Sequence, residues 1–143
     1  MGLSREVMMA GTERFYTVMN THDVDAVVAL MDDKVEDHQL PPGMPGGKIG
    51  VAAFFNMMFA SASDMKFEIL DVVISGNRAA IRSRVTGTQS GPFMDMPVTN
   101  KPFDVEGIDI VEVNDDELVI QHWGIFDMMG MMMQTGLVQP PPT

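Results

Sequence analysis

Phe103-Asp104-Val105-Glu106-Gly107-Ile108-Asp109-Ile110-Val111-Glu112-Val113, the turn Asn114-Asp115-Asp116-Glu117, and Leu118-Val119-Ile120-Gln121-His122-Trp123-Gly124-Ile125-Phe126-Asp127 form the stretch that decides the fold class. Both long runs alternate side-chain character with period two around an acidic turn, which is the signature of paired antiparallel strands. Upstream, Phe67, Ile69 and Val73 lead into a turn at Ser75-Gly76-Asn77, and a return strand runs from Ala79 to Thr88. A Gly/Pro-punctuated connection from Ser90-Gly91-Pro92 to Lys101-Pro102 joins that hairpin to the strand at Phe103. Ahead of the strands the period changes. Val7, Met8, Phe15, Val18 and Met19 suit an amphipathic helix over 4–20, with Tyr16 near its end. Asp23 can cap a short second helix carrying Val24, Val27, Val28, Leu30 and Met31, which the turn Asp32-Asp33-Lys34 closes. Val35 to Leu40 reads as a short extended segment ended by Pro41-Pro42-Gly43, and a Phe-rich third helix covers 49–61. Three helices followed by long antiparallel strands predict an α+β domain with the helices on one face of a bent antiparallel sheet. Residues 1–137 form that single domain, and 138–143 form a Pro-rich tail.

Composition narrows the function. A chain of 143 residues, 45% hydrophobic, is large enough for one core and too small for two comfortable domains. Twenty acidic residues against nine basic ones give a formal charge of -11, which opposes binding to phosphate backbones and anionic lipid, so neither nucleic acid nor membrane is an expected partner. Cysteine is absent, which removes disulfides, thiolate catalysis and Cys-based metal sites. The three histidines lack HxH or HExxH spacing, and no His or Cys accompanies the methionines of 128–133, so no metal site is expected. The opening residues lack the basic-then-apolar order of a secretion signal, which points to a cytoplasmic protein.

Two carboxyls stand out. Strand parity sets Asp109 on one face with Phe103, Val105, Gly107, Val111 and Val113, while Asp104, Glu106 and Glu112 take the other. The same parity groups Val119, Gln121, Trp123, Ile125 and Asp127, and it leaves His122 outside the pocket. A carboxyl between apolar walls suits a general acid or base, whereas Asp127 could equally cap a helical turn beginning at Met128. His38 can exchange protons near neutral pH or serve as a plain hydrogen-bonding histidine, and His22 beside Asp23 reads as solvated.

Taken together, Val35-Glu36-Asp37-His38, the Gly-rich entry to the Phe-rich helix, Gly87 to Phe93, Pro97 to Lys101, His122-Trp123, Asp127 and Gln134-Thr135-Gly136 resemble the SnoaL-like polyketide cyclases of the NTF2-like superfamily. That resemblance implies a cone-shaped α+β barrel, homodimers or homotetramers, and cofactor-independent aldol-type ring closure of a bulky apolar, polyketide-like carbonyl compound. It makes Asp127 the acid/base and places His38 and Trp123 in the pocket wall. Asp127, His38 and Asp109 are thus the expected catalytic groups, and Tyr16, Phe55, Phe59, Gln89, Gln121, Trp123, Met128 and Met131 the expected substrate contacts. Gln89 and Gln121 stand where the family usually has His and Glu; they can hydrogen-bond a carbonyl but cannot exchange a proton. Two other functions fit a protein of this superfamily. One is a limonene-type epoxide hydrolase, for which Asp109 and Asp127 would be the carboxylates and Arg82 or Arg84 would have to replace the arginine missing at Gly107. The other is a non-enzymatic small-molecule-binding or dimerisation module with the methionines as its wall or interface.

Overall fold

The computed structural model describes residues 2–143. Ser4 caps the first helix, α1 (Arg5–Met19), its hydroxyl accepting from the Val7 amide at 3.2 Å. Met8, Thr12, Tyr16 and Met19 recur every three or four residues along α1 and form its buried stripe. Asp23 caps the five-residue α2 (Val24–Val28) by accepting from Ala26 N at 3.1 Å. Strand β1 (Met31–Asp37) follows, and then α3 (Gly47–Ser61), which buries Val51, Phe54, Phe55 and Phe59. At roughly 1.5–3 kcal/mol per fully buried large apolar side chain, α3 carries much of the helix-to-sheet adhesion. The remaining elements are β2 (Lys66–Ser75), β3 (Arg78–Thr88), β4 (Pro102–Val113), β5 (Val119–Phe126) and α4 (Met128–Gln134).

The five strands form one curved sheet in the order β1-β5-β4-β3-β2, with the helices packed against it, so the α+β class expected from the sequence holds. The sheet is not wholly antiparallel, because β1 runs parallel to β5. Asp32, Asp33 and Lys34 lie inside β1 rather than in a turn, and a register irregularity between Met31 and Glu36 absorbs them. Parallel pairing sets Asp37 beside His122. Asn77, in the β2–β3 turn, accepts from Leu3 N at 2.8 Å and donates to Val113 O at 3.1 Å, tying the N-terminal segment to β4.

Two bulges alter the facing expected from strict alternation. In β2, Ile69 pairs with Ser83 while Asp71 pairs with Arg82, so Leu70 is an extra residue. Val72 and Ile74 therefore turn inward, and Val73 points out, 65% exposed. In β5, Val119 pairs with Val113 while Gln121 pairs with Glu112, so Ile120 is the extra residue. Past it, His122, Gly124 and Phe126 share the inner face with Val111, Asp109 and Gly107, while Gln121, Trp123 and Ile125 lie outside. The inner face and the helices close on an apolar core that includes Met31, Ile81, Val85, Phe103 and Val105. No helix is long and apolar enough to cross a membrane.

Candidate active site

Between α1, α3 and the inner sheet face lies a cavity with mostly apolar walls, among them Phe54, Phe55, Met58, Phe93, Phe103 and Met131. Its polar groups gather where β1, β4 and β5 meet α1. Tyr16 reaches in from α1 and donates its hydroxyl to Asp109 Oδ2 at 3.0 Å. On the other side of the same carboxylate, His122 Nε2 lies 2.8 Å from Asp109 Oδ1. The other ring nitrogen, Nδ1, lies 2.9 Å from Asp37 Oδ2. That approach is off the N–H axis, so it is an ion-pair contact, and the buried Nδ1 has no hydrogen-bond partner. Asp37 is held in turn by the Gln39 amide, which donates to its Oδ1 at 2.9 Å. Gln39 lines the cavity as well, because inward parity along the end of β1 selects Asp37 and Gln39 and turns His38 out.

Tyr16, Asp109, His122 and Asp37 thus form one chain of ionisable groups at the polar end of an apolar chamber. Burial opposes charge on His122, but the hydrogen bond to Asp109, the contact with Asp37 and both carboxylate charges outweigh it, pushing its pKa up to about 9. The imidazole is therefore charged at neutral pH. Burial, reinforced by the Asp109 charge, raises the Tyr16 phenol well above its ordinary value, so it stays a neutral donor. Ser83, beside the phenol, works in the other direction.

Asp109, Tyr16, Phe55 and Met131 line the cavity as expected from the sequence, and several other expected site residues stand elsewhere. Asp127 is exposed and caps α4, accepting from Gly130 N at 2.8 Å; the parity that aimed it inward is reversed by the bulge at Ile120. His38 and Trp123 stack at 4.9 Å on the outer sheet face, where His38 Nε2 meets Gln121 Oε1 at 2.6 Å and Arg78 lies over the indole at 5.1 Å. Gln89 is buried but does not line the cavity; its carboxamide bonds Gly91 O, Pro97 O and both polar groups of Thr99, fastening the loop between β3 and β4. Phe59 packs in the core against His22, which stacks on it at 4.0 Å and meets Met65 O at 2.6 Å rather than water, and Met128 lies outside the cavity. Arg82 and Arg84 point outward to Glu106 and Asp104, away from Asp109.

Strict alternation hides His122, while Asp37 and Gln39 flank His38 in the sequence. Counting inward from the apolar Val35 in steps of two reaches both of them. Among the described residues, no three His, Asp or Glu side chains are arranged as a metal-binding group.

Comparison with known proteins places this architecture. Residues 10–135 match the sequence profile described as SnoaL-like polyketide cyclase. The chain belongs to that family. No curated protein matches at a significant level. Among solved structures, TsrD from Streptomyces laurentii is 26% identical with a TM-score of 0.84 over 95% of this chain and 99% of that one. IdmH from Streptomyces antibioticus is 26% identical with a TM-score of 0.78, covering 90% of this chain and 98% of that one. A SnoaL-like polyketide cyclase from Agrobacterium tumefaciens, 22% identical with a TM-score of 0.74 over 89% and 96% of the two chains, shows the shared fold.

Proposed function

We propose that this member of the SnoaL-like family is a cofactor-independent cyclase that closes a ring on a bulky apolar, polyketide-like carbonyl compound by aldol chemistry. The observation that carries the reading is the carboxylate of Asp109, gripped by Tyr16 and His122 at the polar end of a cavity whose other walls are mostly apolar. Asp109, not Asp127, is the proposed acid/base. Its carboxylate takes a proton from the carbon beside a carbonyl, and the resulting enolate attacks a second carbonyl of the same molecule. One carbon–carbon bond forms, the second C=O π bond breaks, and the alkoxide recovers the proton from the Asp109 carboxyl. The His122 imidazolium and the Asp37 carboxylate balance each other, so one negative charge moves from Asp109 to the substrate and back without net charging of the chamber. Placing these groups in a mostly apolar surround is what such a step asks of a protein.

The test is exchange of the α-protons of 2-tetralone, an apolar bicyclic ketone, into D2O, followed by proton NMR. The wild-type protein accelerates exchange and Asp109→Asn loses at least 100-fold of that acceleration; equal exchange in the two proteins removes the reading.

Assembly belongs to the same proposal. The outer sheet face exposes Val73, Ile108, Ile110 and Ile125, the last 80% exposed. Beside them Arg78, Arg82 and Arg84 on β3 form a row against Glu112, Glu106 and Asp104 on β4. A second copy turned through a two-fold axis can set its acidic row over this basic row while covering the apolar stripe, which favours a homodimer.

A further inference from the structure

Gly124 is the residue of β5 directly opposite Asp109, and its missing side chain leaves room on the inner sheet face that neighbouring side chains occupy. A Cβ at that position would lie 2.3 Å from Gln39 Oε1 and 2.6 Å from Asp109 Oδ1. The two side chains therefore come together in the space an ordinary residue would fill. Gln39 arrives there because its backbone amide is fixed to Asp37, one step from the ion pair with His122. The other polar groups of this end are taken up by one another: the Tyr16 hydroxyl and His122 Nε2 with Asp109, His122 Nδ1 in its ion-pair contact with Asp37, and the Ser83 hydroxyl beside the phenol. The Gln39 carboxamide has no hydrogen bond to any described residue, although it faces the chamber. It is the carboxamide oxygen, Oε1, that occupies the Gly124 gap, so the NH2 end is the part left unheld, and an unheld NH2 group at the wall of a mostly apolar cavity is a donor without an acceptor.

We infer that Gln39 is the residue that binds the carbonyl oxygen of the substrate and donates to the oxyanion that develops there when Asp109 removes the neighbouring proton. This assignment rests on the proposed role of Asp109. Gly124 is the opening that lets Gln39 reach its post. The carbonyl is thereby fixed on the β1 side of Asp109, and the α-carbon comes over the carboxylate. A donor of this kind acts mainly where charge develops, so it affects rate more than binding, by roughly 100- to 1000-fold in comparable sites.

Two ligands and five proteins test the assignment. 2-Tetralone carries a carbonyl that only accepts hydrogen bonds, and tetralin is nearly the same shape without it. Binding of each is measured by NMR titration, and α-proton exchange of 2-tetralone in D2O reads the chemistry. The wild-type protein prefers 2-tetralone. Gln39→Met reduces that preference about fivefold, as expected for one neutral hydrogen bond of about 1 kcal/mol, and slows exchange about 100-fold. Gly124→Ala also lowers the preference and slows exchange with an unchanged circular dichroism spectrum, because its Cβ meets only side-chain ends, displacing the unheld Gln39 carboxamide and pressing on the held Asp109 carboxylate. Asp109→Asn loses exchange and keeps the preference. Absence of a preference in the wild type, or a preference and rate within twofold of wild type in Gln39→Met, overturns the assignment. Loss of the preference in Tyr16→Phe with Gln39→Met unaffected also overturns it and makes the phenol the donor. Retained exchange in Asp109→Asn overturns the role of Asp109 instead, leaving the preference to report on Gln39 alone.

Discussion

Replacing His122 with Gln removes the one cation of the buried chain and makes the stability of the protein respond differently to alkali. His122 rises from an ordinary 6.5 to about 9 on folding, and at about 1.4 kcal/mol per unit that shift is worth about 3 kcal/mol. The side chain is only 15% exposed, so solvent screening reduces this figure little. A group whose pKa is raised by folding stabilises the native state fully below its unfolded value and loses that contribution as pH climbs through its folded value. Between pH 6.5 and 9 the native state holds a proton that the unfolded chain has released, so stability falls by about 1.4 kcal/mol per unit. Guanidinium unfolding followed by circular dichroism at half-unit intervals from pH 6 to 10 measures the slope. Subtracting the His122→Gln profile cancels the amino terminus and every other shared titration. A difference that declines across this window and flattens above about pH 9 agrees with a charged, doubly paired imidazole. A flat difference, or a ring signal titrating near 6.5 by NMR, refutes the electrostatics assigned to the site.

Other consequences are read more simply. Gln89→Leu leaves Thr99 N, Gly91 O and Pro97 O without their partner and costs about 1–3 kcal/mol in unfolding free energy, without a direct effect on ligand binding in the cavity. Asp127→Ala removes the cap of α4 and costs about 1 kcal/mol, a loss that Asp127→Asn largely avoids because Asn caps as well as Asp. Ile108→Asp combined with Ile125→Asp, a cross-strand pair on the outer face, converts the proposed dimer to a monomer in sedimentation experiments while leaving the thermal midpoint of the monomer within a few degrees.

Much of the architecture was legible because its signals are local. Ser4 and Asp23 cap the first two helices, the Phe-rich segment is apolar all round, and the acidic turn after Val113 splits two alternating runs. Asp109 was legible for the same reason: β4 runs from Phe103 to Val113 without interruption, so its parity survives. The losses trace to single extra residues. A bulge leaves no mark in composition, yet Ile120 exchanges the two faces of β5 and sends His122 in and Asp127 out. Leu70 does the same to Val73. The partnership of Asp37 with His122 depends on a parallel pairing of segments some eighty residues apart, which no local pattern encodes. The family pattern did not repair this, since it set His38, Trp123 and Asp127 at the pocket, whereas all three lie outside the cavity.

The most direct test sets the two aspartates against each other in one reaction. Purified Asp109→Asn and Asp127→Asn are compared with wild type for ring closure of a naphthyl-substituted 1,5-diketone, with product quantified by chromatography against the uncatalysed background. The structure predicts that Asp127→Asn closes the ring within about twofold of wild type, and that Asp109→Asn falls by at least 100-fold, the scale expected when a general acid/base is removed. The opposite order, with Asp127→Asn inactive and Asp109→Asn active, would contradict the site built around Asp109, Tyr16 and His122.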